Sequence, residues 1–280
     1  MRKPQLILIL SGLLLFSLLY FFTPRFTAKE AIASNQSAEN QVVTTESILN
    51  TAKLALSESQ KISLLSIENQ LIKANNAQDS LKSYKALTRF WADSAQKLAP
   101  YLYFSYSAAL LENSEKSLTF AAQLLVDNLL TPDAPPALLP WIAGNAKVLL
   151  EKALVINPKN DSAKINLGAC YLFGNLSDNP MQGITKIKEV VDKDSTNAYG
   201  QLILALGGKK SGQYDKAIER FLTVIKIQPN HIEAMIHLAE CYELTDQKAL
   251  AIDWYTRVSN NVNIPEAKEA ISKRIKELKK

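Results

Sequence analysis

Three stretches of this chain, beginning at Asp161, Ala198 and Ile232, repeat one pattern of apolar and small residues. Each sets a leucine and then a small residue at the same offset: Leu167-Gly168, Leu204-Ala205 and Leu238-Ala239. Tyr171 and Tyr242 follow at matching places, where the middle copy has Gly208. The downstream halves agree as well. Ala217, Phe221, Val224 and Pro229 align with Ala251, Tyr255 and Val258, and with Gly183, Ile187 and Val190, Ser195 standing where the proline would be. The last two copies start 34 residues apart and the first starts 37 before the second, an excess absorbed by the loop Asn175–Asn179. A repeat of this length in a chain with only 9 glycines in 280 residues restricts the fold to stacked helix pairs. No single pair buries its own apolar face, so each must cover its neighbour.

These residues resemble the tetratricopeptide (TPR) family, whose consensus runs W-x2-L-G-x2-Y, then A-x3-F-x2-A, then a turn proline. The resemblance covers Asp161 to Asn261, and Gly212-Gln213-Tyr214-Asp215 looks like the turn of many TPR units. It implies an all-α fold: a right-handed superhelical solenoid of helix hairpins, whose first helices line a concave groove that binds peptides or helices. By that resemblance the groove is lined by Ile165, Ala169, Phe173, Tyr199, Leu202, Leu206, Lys209, Glu233, Ile236, Glu240 and Glu243. Members that clamp a C-terminal carboxylate carry Lys, Asn and Arg there. Ile165, Ala169, Ile203, Glu233 and His237 hold those places here, which argues against such clamping. The groove reads as apolar at its start and acidic at its end, suiting an amphipathic partner segment with basic residues.

Upstream the pattern decays. Ala146, Leu150, Ala153 and Pro158 reproduce a second helix, and Ser114–Leu130 supplies its first, with Phe120-Ala121 and Leu124 in the matching places. The insertion TPDAPPALLP separates the two. Leu87, Trp91, Phe104 and Ser107 outline a more degenerate copy, with Thr88 and Pro100 at its small-residue positions. Ser57-Glu58-Ser59-Gln60 is a capping box for a helix through Lys73, and Asp79 is expected to cap the next. Pro265 opens a polar last helix that would cap the solenoid.

Chemistry has few candidates. His231 and His237 are six residues apart, not at the four-residue spacing that puts two ligands on one helix face. Cys170 and Cys241 occupy equivalent positions in copies separated by another, on the order of 20 Å apart at helix spacings of about 8–10 Å. A disulfide is therefore not expected, and both thiols should be buried and free. Gly207-Gly208-Lys209-Lys210-Ser211 lacks the spacing of a phosphate loop and reads as a helix-end turn. Carboxylates are scattered among lysines, leaving no acid–base pair. The expectation is a non-enzymatic chain without cofactor, metal or small-molecule substrate. A net charge of +5, falling to +3 without Arg2 and Lys3, is too dispersed for nucleic acid. The aromatic cluster Tyr101, Tyr103, Phe104 and Tyr106 is expected to pack between hairpins, a peptide-binding patch being the alternative.

After a short flank (residues 1–4), residues 5–23 hold the apolar run Leu6–Phe22. Its 17 residues span roughly 25 Å as a helix, near the minimum for crossing a bilayer. The alternative is a cleaved signal, but Ala31-Ile32-Ala33 is about ten residues beyond the run, far for cleavage. Residues 24–45 read as a polar tether, 46–160 as divergent hairpins, 161–262 as three clear units and 263–280 as the cap. The expected function is a membrane-tethered scaffold for a protein or peptide partner; the alternative is an envelope assembly factor holding immature clients. Arg2 and Lys3 against Arg25 and Lys29 leave the charge rule nearly balanced, and the Met-Arg-Lys start places the domain on the periplasmic side. A C-terminal reporter fusion should therefore show phosphatase activity; fluorescence from a cytoplasmic reporter would reverse the orientation.

Overall fold

A computed structural model describes residues 43–131, 134–176 and 180–280. The apolar run Leu6–Phe22 lies outside these residues. Among them no helix is long and apolar enough to cross a membrane.

The described residues form thirteen α-helices and no strand. In chain order they are α1 (Thr45–Leu54), α2 (Glu58–Ile72), α3 (Ala77–Arg89), α4 (Leu98–Glu112), α5 (Glu115–Leu129), α6 (Leu139–Ile156) and α7 (Asp161–Phe173). They continue as α8 (Met181–Val191), α9 (Ala198–Lys210), α10 (Tyr214–Ile227), α11 (Ile232–Leu244), α12 (Lys248–Asn261) and α13 (Pro265–Leu278). From α5 onward consecutive helices pair as hairpins: α5 with α6, α7 with α8, α9 with α10, α11 with α12. The first helices of successive hairpins also touch, α5 with α7, α7 with α9 and α9 with α11, and so form one layer.

Each turn repeats with the sequence period. Asn160, Asn197 and His231 cap α7, α9 and α11, accepting hydrogen bonds from the backbone N–H groups of Ala163, Gly200 and Ala234 at 2.9, 2.9 and 3.2 Å. At the far end Asn175, Gly212 and Asp246, again 37 and 34 residues apart, adopt left-handed backbone with φ of 51°, 74° and 58°. A left-handed residue ends a helix because the amides beyond it turn back onto the last carbonyls. Gln213 and Gln247 do so, reaching Gly208 and Tyr242 at 2.8 Å each. Only one of the three left-handed positions is a glycine, so residue type alone does not reveal the period; Asn and Asp tolerate the conformation next best.

The small residues lie where two helices meet. Ala205, Ala217, Ala239 and Ala251 are fully buried, with Phe221 at 0% exposure filling the space between neighbouring pairs. The α7–α8 crossing is close: a Cβ on Gly183 would lie 2.4 Å from the Gly168 carbonyl oxygen, and one on Gly168 2.4 Å from Ile187 Cγ1. Cys170 and Cys241 are buried free thiols. At the C-terminal end α13 lays Ile271, Ile275 and Leu278 on the last hairpin and turns its charged side outward.

Two upstream assignments change. Counting from its cap Ser114, α5 brings Ala121 and Ala122 to the helix contact, both buried, whereas Phe120 is 72% exposed. The expected alignment was one residue out of step, because in a degenerate copy two adjacent small residues satisfy the pattern equally well. Asp79 does not cap α3. Asn76 does, accepting from the Asp79 N–H at 2.8 Å while its amide donates to the Asp79 carboxylate at 2.7 Å. Helix α3 runs through a π-turn at Phe90–Ser94 that drives Phe90 and Trp91 into a core with Leu87 and Phe104. Tyr101 and Tyr103 pack against that core, Tyr103 meeting Phe104 edge-on at 5.0 Å.

Gly183→Ala should therefore destabilise the fold by about 1–3 kcal/mol, since a rigid carbonyl blocks the added methyl. Gly144→Ala, in α6 with nothing within 4 Å of the new Cβ, should stabilise by up to about 1 kcal/mol through helix propensity. Urea unfolding of the two variants checks both signs.

Candidate functional site

The first helices do not make a uniform groove. The ends of α5, α7, α9 and α11 converge on a cleft of about 960 Å³, closed on one side by the segment between α5 and α6. Its walls are largely apolar: Leu129, Leu130, Ala134, Pro136 and Leu139 on one side, Phe173 and Leu206 behind, Ile232, Ile236 and Leu244 opposite. The insertion thus supplies a wall. Prolines 135 and 136 prevent α6 from starting early, and a single 3-10 turn at Pro136–Leu138 brings Leu139 to the rim.

Polar groups sit at one end, and most are already engaged. Lys209 and His237 both bond the Glu240 carboxylate, His237 Nδ1 at 2.7 Å. Burial would raise the Glu240 pKa, but the hydrogen bonds and positive charge of His237 and Lys209 outweigh it, bringing it down to about 2. His237 also lies against Phe221, ring centres 5.8 Å apart. Lys210 donates to the Leu172 carbonyl at 3.0 Å and lies 5.3 Å from the centre of the Phe173 ring. Glu233 is exposed at the rim without a salt bridge among the described residues.

The structure divides the eleven expected lining residues. Phe173, Leu206, Lys209, Glu233, Ile236 and Glu240 line the cleft. Ile165, Ala169 and Leu202 do not: they are buried at 1%, 0% and 5% exposure, because the adjacent first helix lies across them. Tyr199 is tied into a polar ladder instead, donating to Asn166 Oδ1 at 2.6 Å while the Asn166 amide donates to Gln123 Oε1 at 2.6 Å. Burial pushes the Tyr199 hydroxyl up to about 12. Glu243 faces the other way, paired with Arg274 of α13. The groove's acidic end is therefore neutralised from within, a point that side-chain spacing along one helix does not reveal. Leu129, Leu130, Ala134, Pro136, Leu139 and Leu244 escaped the sequence reading. The Leu138-Leu139 pair closing a proline-rich insertion was the available signal.

His231 is consumed as a helix cap through Nδ1 and His237 by Glu240, so the two do not meet at a common ligand. Among the described residues no three His, Cys, Asp or Glu side chains gather as a metal site.

Comparison with known proteins finds matches to part of the chain or at low identity. A family model described as "Regulator of microtubule dynamics protein 1-3" matches residues 201–280. Among solved structures, the MamA protein aligns at 16% identity and a TM-score of 0.44, covering 66% of this chain and 92% of that one. MamA from Desulfovibrio magneticus RS-1 aligns at 18% and 0.43, over 65% and 95%. YrrB, described as a TPR protein with an unusual peptide-binding site, aligns at 15% and 0.42, over 74% and 97%. No curated protein matches the sequence. The stacked hairpins and their periodic caps define the chain's class, an all-α helical repeat protein.

The Glu240 assignment has a measurable consequence. A carboxyl held below its ordinary 4.5 contributes stability above that value and loses it as pH falls towards about 2. Glu240→Gln should be less stable than the parent at neutral pH, and the gap should close between about 4.5 and about 2 in urea titrations at stepped pH. A gap independent of pH would show that the charge of Glu240 is not what the folded state uses.

Proposed function

We propose that this chain is a non-enzymatic scaffold that holds a polypeptide segment in the cleft lined by the inner helices and by Ala134, Pro136 and Leu139. The observation that carries the reading is the cleft itself. It is an apolar trough of about 960 Å³ in which Lys209, His237 and Glu240 are paired with one another, with Leu206, Ile236 and Leu244 presented from two successive first helices. Successive hairpins set those side chains at repeating intervals, which suits a helix or extended strand offering apolar residues at regular spacing. With Glu240 and Glu243 engaged by Lys209, His237 and Arg274, selection rests on apolar fit, and Glu233 is left to favour a basic residue at the rim.

On the same reading the first helices face the inside of a right-handed superhelix, and Leu6–Phe22 anchors the chain in the cytoplasmic membrane with the repeats on the periplasmic side. The one imidazole among the described residues of its wall, His237, is bound to the Glu240 carboxylate, which Lys209 also holds as a link between repeats; this supports binding rather than turnover.

Replacing Ile236 and Leu244 together by glutamate places two charges in the apolar wall while leaving the hairpin contacts intact. Partners captured by crosslinking in cells and identified by mass spectrometry should fall by tenfold or more, on the order of the loss expected for removing central apolar anchors. An unchanged set of partners from a variant of parental helicity would reject the cleft as the binding surface.

A further inference from the structure

Helix α2 has two apolar faces, and only one of them is used. Leu64 is 3% exposed and, with Ile67 and Leu71, packs into the core around Trp91. On the opposite side Ile62, Leu65 and Ile72 are 69%, 57% and 80% exposed. Single exposed apolar residues are ordinary on a surface. These are not scattered: Glu58, Ile62, Leu65, Asn69 and Ile72 succeed one another at steps of four, three, four and three. That alternation is the spacing of a coiled-coil seam, with Ile62 and Asn69 at a positions and Glu58, Leu65 and Ile72 at d. The contrast with the other end of the solenoid is direct, since α13 covers the last hairpin and presents a charged outer side.

We propose that the outer face of α2 is a self-association surface, on which a second copy of this chain places its own α2 parallel and in register. Three features choose this occupant. A β-branched residue at a followed by leucine at d is the pairing that favours two strands, and an asparagine at a fixes register. Asn69 has no side-chain hydrogen bond among the described residues; facing the second copy's Asn69 it gains one. An antiparallel pair would set Asn69 against Leu65 and leave its amide unmet, at a cost. At the exposed start of the seam Glu58 meets the second copy's Glu58, each paired with its own Lys61 at 2.7 Å, and further along the flanking charges agree. In a parallel pair Glu68 at g lies across from the second copy's Lys73 at the following e, and Lys61 at g lies across from the uncharged Ser66. Glu68 now holds Lys53 at 2.7 Å, with side chains 26% and 40% exposed, a surface ion pair whose exchange for another costs little.

The test is cysteine crosslinking of the full-length chain in detergent micelles. The chain's own thiols are silent, since burial pushes Cys170 up to about 12 and Cys241 up to about 11; the parent serves as the blank. Ile62→Cys, Leu65→Cys, Asn69→Cys and Ile72→Cys each replace a seam position, and Ser63→Cys and Gln70→Cys sit beside the seam on the same exposed helix. Under mild oxidation all four seam variants should lose most of their monomer band to a disulfide dimer on a non-reducing gel, and the two controls should keep theirs. Adding Leu65→Glu to Ile62→Cys should abolish that dimer. A dimer from only one seam position would mean antiparallel packing and overturn the proposal. So would equal crosslinking of seam and control positions, or none at any seam position, which would leave the face to a different protein or to lipid.

Discussion

Everything in this fold depends on how closely the two helices of a hairpin can approach. Where they cross, the contact is made by glycine or alanine: Gly168 against Gly183, and the buried alanines 205, 217, 239 and 251 in the following hairpins. Close approach lets a large residue, Phe221 or Tyr255, occupy the space between one pair and the next. Because no hairpin is closed by itself, that space is where the stability of the stack resides. A side chain any larger at the crossing would separate the helices and open the same gap that the aromatic must fill.

The stack leaves three surfaces with different fates. The C-terminal end is covered by α13. The inner layer is covered in part by its own polar ladder, Gln123 to Asn166 to Tyr199, which satisfies buried amides across three successive first helices and leaves little there for a partner. Beyond the ladder the layer opens into the apolar cleft, walled by the insertion between α5 and α6. The outer side of α2 at the other end is apolar and uncovered. The cleft and the outer side of α2 are built from different residues at different positions along the solenoid, so the two interactions do not compete.

Charge plays a mostly internal role. Lys209, His237 and Glu240 form one cluster across two first helices, and Arg274 fastens α13 to Glu243. Read as sequence, these carboxylates promised an acidic groove. Folded, they hold neighbouring repeats and the capping helix together, and the surface offered to a partner is less charged than composition implied.

The hairpin period, the identity of the contact residues in the last three units, the capping box at Ser57, the start of the last helix at Pro265 and the burial of both cysteines were all legible from the chain itself. Each depends on local spacing, and spacing of 3.6 residues per turn converts directly into faces. The register of α5 was not legible, because Ala121 and Ala122 are both small and only the packing of α6 selects between them. Nor was the cleft. It is made by residues up to 115 positions apart, from Leu129 to Leu244, and its shape comes from the turn at Pro136–Leu138 and from which carboxylate finds which cation. Sequence determined the repeat, since each helix must bury its own stripe; tertiary structure alone decided which parts of the inner surface remained free, since that depends on how neighbouring hairpins spend one another's polar groups.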